Sequence, residues 1–136
     1  MKTFETTIRV RYAETDQMGY VYYGNYAAFY ETARVEALRQ MGASYRELEE
    51  SGVLMPVTML TCKFHRPALY DDLLTISTLI KSLSDTKIEF EYQIFNEAKQ
   101  LLNTGYTSLV FISKKNMRPC RTPEWFKKLI LSYIND

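Results

Sequence analysis

Cysteine is scarce in this chain, histidine occurs once, neither charge is in excess and no long apolar run exists; each shortage removes a class of function. Cys62 and Cys120 stand alone without CxxC spacing, which fits a reducing compartment and buried, inert thiols. The single histidine, His65, lies on a strand pattern far in sequence from any second ligand, so no metal site is expected. With 17 Lys and Arg against 16 Asp and Glu, the formal charge of +1 argues against a nucleic-acid partner and against an acidic tail. No window approaches the ~18 consecutive apolar residues of a spanning helix. The opening Met1-Lys2-Thr3-Phe4-Glu5 runs straight into an alternating pattern, without the apolar core of a signal peptide, so a cytoplasmic location is expected. Repeats, linkers and low-complexity tracts are also missing, which leaves residues 1–136 as one domain.

What the chain does have is an ordinary globular balance, 46% apolar and 24% charged, and a length that can bury a real core. Tyrosine is the exception: there are 11, six of them between Tyr12 and Tyr30. An apolar ring with a polar tip suits pockets and subunit interfaces, and it also suits a plain core.

Phe4, Thr6, Ile8, Val10 and Tyr12 alternate with Glu5, Thr7, Arg9 and Arg11, which predicts a first strand with one buried face. A loop from Ala13 to Gly24 follows, with Gly19 and Gly24 as hinges. From Asn25, a plausible N-cap, the pattern predicts a helix to about Met41 that stops at Gly42. Tyr26, Phe29, Tyr30, Ala33, Ala37 and Met41 share one face, and Ala27 and Leu38 widen it beyond half the circumference. Arg34 falls inside that arc, and Glu31 three residues earlier is spaced for a buried ion pair. Ser44-Tyr45-Arg46-Glu47 reads as a capping box opening a short second helix.

Beyond it come strand patterns over Val57 to Arg66, Leu73 to Leu83, Lys87 to Ile94 and about Leu101 to Ser113, the last two joined by a turn at Asn96–Gln100. Thr122-Pro123-Glu124 then starts a C-terminal helix around Trp125, Leu129 and Tyr133. The order strand, helix pair, four strands, short helix implies an α+β domain, an antiparallel sheet packed on one dominant helix. Its open sheet edges and broadly apolar helix argue for association with further copies.

The loop ahead of the long helix carries the chemistry. It places one carboxylate, Asp16, among aromatic residues just before a helix N-terminus, where unpaired N–H groups and the macrodipole favour developing negative charge. An acid or base beside an anion-stabilising helix end is what acyl transfer needs. Taken alone, Asp16 is better read as a turn or cap aspartate.

The stretch Thr15-Asp16-x-x-Gly19-x-Val21-Tyr22-Tyr23-x-Asn25-Tyr26, followed by Phe29-Tyr30-Glu31 and Arg34, resembles the hotdog-fold thioesterases of the 4-hydroxybenzoyl-CoA thioesterase branch, which includes acyl-CoA thioesterases associated with the Tol-Pal system. The resemblance extends to Pro67-Ala68-Leu69-Tyr70-Asp71-Asp72-Leu73 and to Arg118-Pro119, and so spans essentially the whole chain. Tyr20 departs from it, standing where the family usually has Ile or Val, which bears on acyl preference.

The resemblance implies a hotdog fold, an antiparallel sheet wrapped around one long central helix. It also implies hydrolysis of an acyl-CoA to free acid and CoA. Asp16 would act as nucleophile or general base, and the backbone N–H of Tyr23 as oxyanion donor. A thiolate with a pKa near ~8.5 leaves readily, so one carboxylate and one donor can suffice without a Ser-His-Asp triad. No metal or redox cofactor is implied, coenzyme A being part of the substrate.

For substrate binding the candidates are Tyr22, Gly24, Asn25 and Tyr26 around the loop, with Lys114 and Arg118 for coenzyme A phosphates. The tyrosines could instead pack the loop onto the helix, and Lys114, Lys115, Arg118 and Arg121 could be a solvated basic turn. Glu31 is the rival carboxylate, because another hotdog branch uses a glutamate on the central helix. Acyl-carrier-protein thioesters and a non-catalytic acyl-thioester-binding role are the alternatives. A hydratase would need a histidine near the helix, and none is there. The assembly expected is a homo-oligomer, a dimer at minimum or a homotetramer.

Overall fold

Two paired strands, Leu73–Leu83 and Lys87–Phe95, bury every second side chain from Leu74 to Ile80 and from Ile88 to Ile94. The computed structural model describes residues 2–134. In chain order the elements are β1 (Thr3–Arg9), α1 (Tyr26–Gln40), α2 (Tyr45–Glu50), β2 (Val53–Leu54), β3 (Val57–Phe64), β4 (Leu73–Leu83), β5 (Lys87–Phe95), β6 (Leu101–Val110), β7 (Ile112–Ser113) and α3 (Glu124–Ile134). Five strands form one sheet in the order β1-β4-β5-β6-β3, and each neighbouring pair is antiparallel. The two-residue strands β2 and β7 pair separately. This is the α+β architecture that the alternation and the single long helix predict. No helix among the described residues is long and apolar enough to cross a membrane.

The inner face of β5 is the clearest case: Ile88, Phe90, Tyr92 and Ile94 are all buried, and the residues between them are half-buried or exposed. From α1 the side chains of Tyr26, Phe29, Tyr30, Ala33, Ala37 and Leu38 enter the same core. At its centre Tyr30 stacks on Tyr92, ring centroids 4.4 Å apart. The Tyr30 hydroxyl donates to Asn103 Oδ1 and also meets Cys62 Sγ at 3.2 Å. Burial, reinforced by the Cys62 contact, drives this phenol far above its ordinary range, so it stays a neutral donor. The ring occupies the space that a side chain at Gly105 would need.

Several boundaries differ from the sequence expectation, each for a local reason. β1 ends at Arg9, because its partner β4 begins at Leu73 and the two are in register. Val10 still bonds to Asp72, N to O at 2.9 Å, but Tyr12 has turned outward and is 79% exposed. The final strand divides at Phe111: β5 offers nothing before Lys87 to pair beyond Val110, so the chain crosses to β2. On α3 the buried residues are Phe126 and Ile130, while Trp125 is 39% exposed.

The α1 surface also needs correction. Ala27 is exposed, so the helix buries a stripe and not most of its circumference within one chain. Asn25 does not cap it: the Asn25 side-chain amide donates to the Glu14 carbonyl at 2.8 Å, and a single 3₁₀ turn, Tyr23–Asn25, leads into the helix. Ser44 caps α2, with the Glu47 N–H on Ser44 Oγ at 3.1 Å, but the reciprocal half of the expected capping box is replaced: Glu47 Oε1 accepts from Ser44 Oγ at 3.3 Å and not from the Ser44 N–H. Gly42 ends α1 at φ +91°, where a side chain would be strained.

Candidate active site

The loop between β1 and α1 is closed by its own backbone. Asp16 N–H donates to Tyr20 O at 2.8 Å and Gly19 N–H to Asp16 O at 3.0 Å, with Gly19 at φ +78°. The Asp16 carboxylate joins in, Oδ1 accepting the Met18 N–H at 2.9 Å. This is an Asx turn, so the turn reading of Asp16 is correct as local structure. It commits one carboxylate oxygen and leaves Oδ2 without a protein donor among the described residues. The Glu14 carbonyl then ties the two ends together, accepting Tyr22 N–H at 2.9 Å and the Asn25 amide at 2.8 Å.

A cleft of about 300 Å³ opens where this loop meets the end of β3. Asp16, Tyr20, Tyr23 and Tyr26 line it from the loop and the first turn of α1. Phe64, His65 and Arg66 line it from the strand end opposite. Tyr26 and Phe64, both on its lining, meet edge to face at 5.3 Å. Tyr23 is the first residue of the 3₁₀ turn, and its N–H has no acceptor among the described residues. The cleft therefore holds a half-buried carboxylate and a free amide beside a helix start. Burial pushes the Tyr26 phenol up from its ordinary value, against a backbone contact from Ala68. The neighbouring Tyr23 side chain, chiefly by hydrogen bonding, does the same for Tyr22. Both are neutral donors at physiological pH.

Not every candidate comes to this place. Tyr22, Gly24 and Asn25 adjoin the cleft without lining it; Tyr22 stacks obliquely on Tyr23 at 4.7 Å, and a Cβ at Gly24 would lie 2.7 Å from the Tyr22 ring. Lys114 and Arg118 sit elsewhere, in a turn closed by Ser113 N–H on Arg118 O at 2.8 Å and fixed by Lys114 N–H on Gly52 O at 2.9 Å. That turn follows the far end of β6, whose 10 residues span roughly 30 Å at ~3.3 Å each.

Glu31 lies on the exposed side of α1 and does not line the cleft. The expected ion pair is present but not buried: Glu31 Oε2 is 4.0 Å from Arg34 Nη2, and the Glu31 side chain is 67% exposed. Arg34 is buried, but its close partner is the Tyr45 hydroxyl, which accepts from Nε at 2.7 Å. Removing Glu31 thus costs what an exposed pair costs, about 0–1 kcal/mol.

The sequence reading missed His65 and Arg66 as cleft residues. Strand alternation sends neighbours to opposite faces, whereas here both N–H groups share the Leu102 carbonyl, at 2.8 and 3.0 Å. The only available signal was Pro67, which ends the strand. Among the described residues no three or more His, Cys, Asp or Glu side chains gather as metal ligands would.

A five-stranded antiparallel sheet packs on one central helix, and a cleft lined by a carboxylate opens at the start of that helix. Residues 18–103 match the Thioesterase superfamily. The chain is 36% identical to the acyl-CoA thioester hydrolase YbgC of Escherichia coli over 89% of its own length and 90% of that protein. It is 26% identical to the 1,4-dihydroxy-2-naphthoyl-CoA hydrolase of Thermosynechococcus vestitus, covering 87% of this chain and 84% of that one. Its fold superposes on the DHNA-CoA thioesterase of Staphylococcus aureus with a TM-score of 0.90 and 33% identity, covering 100% of this chain and 97% of that one. The chain belongs to the Thioesterase superfamily and has the hotdog fold.

Proposed function

We propose that this thioester hydrolase acts on acyl-CoA, with Asp16 as nucleophile or general base and the Tyr23 N–H as oxyanion donor. The observation that carries the reading is the pairing of the Asp16 carboxylate and the unpaired Tyr23 N–H in one cleft. In the base route Asp16 takes a proton from water as the oxygen adds to the thioester carbonyl, and the Tyr23 N–H receives the charge that moves onto the carbonyl oxygen. Collapse expels the coenzyme A thiolate, which needs no acid catalyst at its low pKa. No metal or redox cofactor is required. A panel of short, long and aromatic acyl-CoAs, followed by free-thiol release, tests the activity. Failure to hydrolyse any of them would overturn it.

The same reading includes a homo-oligomer. β3 is an edge strand, and Val57, Met59, Leu60 and Phe64 leave apolar surface exposed along it. A second copy pairing antiparallel on this edge would bring the partner's Val57 end beside this chain's Phe64 end. Lys114 and Arg118, which follow the strand paired with that end, would then approach the opposite subunit's cleft and its coenzyme A phosphates. Light scattering is expected to show a dimer or homotetramer; a stable 16.0 kDa species at micromolar concentration would refute this.

A further inference from the structure

His65 and Arg66 reach the cleft together only because the backbone doubles there. Both N–H groups converge on one carbonyl, that of Leu102, at 2.8 and 3.0 Å. This is the bonding of a β-bulge, a device that re-aims side chains and recurs beside active sites. Pro67 follows at once and stiffens the chain beyond. His65 is steadied further by Nε2 against Thr104 Oγ1 at 3.1 Å. Arg66 has no such tether: every ion pair among the described residues involves other side chains. An exposed guanidinium with no internal partner thus faces a cleft whose other charged group is the Asp16 carboxylate.

Distance decides what anion it could meet. A cleft of about 300 Å³ is roughly 8 Å across if taken as a sphere, the scale of a small ligand site. The thioester sulfur of coenzyme A is separated from its diphosphate by some 13 bonds, about 15 Å at the ~1.2 Å per bond of an extended chain. With the thioester carbonyl beside Asp16, the phosphates therefore lie outside the cleft. The pantetheine next to the sulfur is uncharged, so an anionic group held inside the cleft with the thioester, beside Arg66 on its lining, belongs to the acyl moiety.

Resting on the acyl-CoA hydrolase reading above, we propose that Arg66, seconded by His65, selects acyl groups that carry an acidic substituent, as in the half-thioester of a short dicarboxylic acid. A guanidinium suits this role because its fork holds a carboxylate in two parallel hydrogen bonds. The cleft's volume of about 300 Å³ favours a short acyl chain.

The test compares glutaryl-CoA with butyryl-CoA on the wild type, Arg66→Gln, Arg66→Lys and His65→Asn. The wild type is expected to favour glutaryl-CoA in kcat/KM by about 10-fold or more. Arg66→Gln should erase that preference while changing butyryl-CoA less than about threefold, Arg66→Lys should restore part of it, and His65→Asn should weaken it modestly. Glutaryl- and butyryl-pantetheine, which lack the nucleotide phosphates, should show the same Arg66 dependence. An equal loss on both CoA substrates that disappears with the pantetheine thioesters would assign Arg66 to phosphate and overturn the proposal. Hydrolysis of both CoA substrates without preference would overturn it and leave the acyl-CoA reading intact. Absence of all hydrolysis would instead count against that reading. In that case equilibrium binding of the non-hydrolysable ketone analogues of the two substrates decides, with tighter glutaryl binding that Arg66→Gln abolishes as the expected result and equal binding as the refuting one.

Discussion

Asp16→Asn is expected to lower kcat for acyl-CoA hydrolysis by at least ~100-fold, within the ~10² to 10⁴ attributed to a positioned acid–base group. The amide is nearly isosteric, and its carbonyl oxygen can still accept the Met18 N–H that Oδ1 accepts at 2.9 Å. The turn should therefore survive, as should the paired contacts of Asp16 with Tyr20 and Gly19, which are backbone bonds. What is lost is the second oxygen, the one free to take a proton or attack a carbonyl. Thermal unfolding within a degree or two of wild type, unchanged acyl-CoA binding and collapsed turnover form the expected pattern. Near wild-type turnover would move the chemistry off Asp16. Glu31 could not easily inherit it, because that side chain stands on the exposed side of α1 and does not line the cleft.

The second large effect is on stability. Gly105→Ala should destabilise the fold by about 3 kcal/mol, the upper part of the usual range for overpacking a core. A Cβ at this position would overlap the Tyr30 ring. That ring has nowhere to go: it is fully buried, stacked at 4.4 Å on Tyr92 and held at its hydroxyl by Asn103 and Cys62. Denaturant unfolding at fixed protein concentration measures the loss. An alanine variant as stable as wild type would mean that the ring moves aside cheaply. Pairing the change with Tyr30→Leu should recover part of the loss, since the two side chains compete for one volume.

How much of this was legible beforehand depends on whether a local rule was enough. Period-two alternation located the buried face of β5, since it is antiparallel to both neighbours and keeps an unbroken register with β6 from Lys87 to Ile94. The N-cap at Ser44 and the stop at Gly42 follow from backbone needs a few residues wide, and both were read correctly. Asp16 was recognisable because its motif is contiguous. Reading failed where a distant partner decides. Arg34 chose Tyr45 over the nearer-seeming Glu31, because a buried hydroxyl at 2.7 Å outcompetes a carboxylate that can stay in water. His65 and Arg66 were missed because their aim is set by Leu102, across the sheet. Asn25 looked like an acceptor cap and serves as a donor to Glu14, a contact that exists only once the loop has closed.

The strand order also sets an assembly sequence for the chain. β4, β5 and β6 are consecutive hairpins, with short turns that cost little loop entropy to close. β1 is different: Thr3 must find Leu79, across more than half of the polypeptide. Contacts of that separation slow folding and are favoured only after a local scaffold exists to receive them. The segment carrying Asp16 and Tyr23 is strung between β1 and α1, so its shape depends on both anchors being docked. During synthesis this stretch emerges early, yet it acquires its working geometry only when the last-made strands supply the platform. A truncated or stalled product would therefore carry Asp16 without the cleft that it lines in the folded chain.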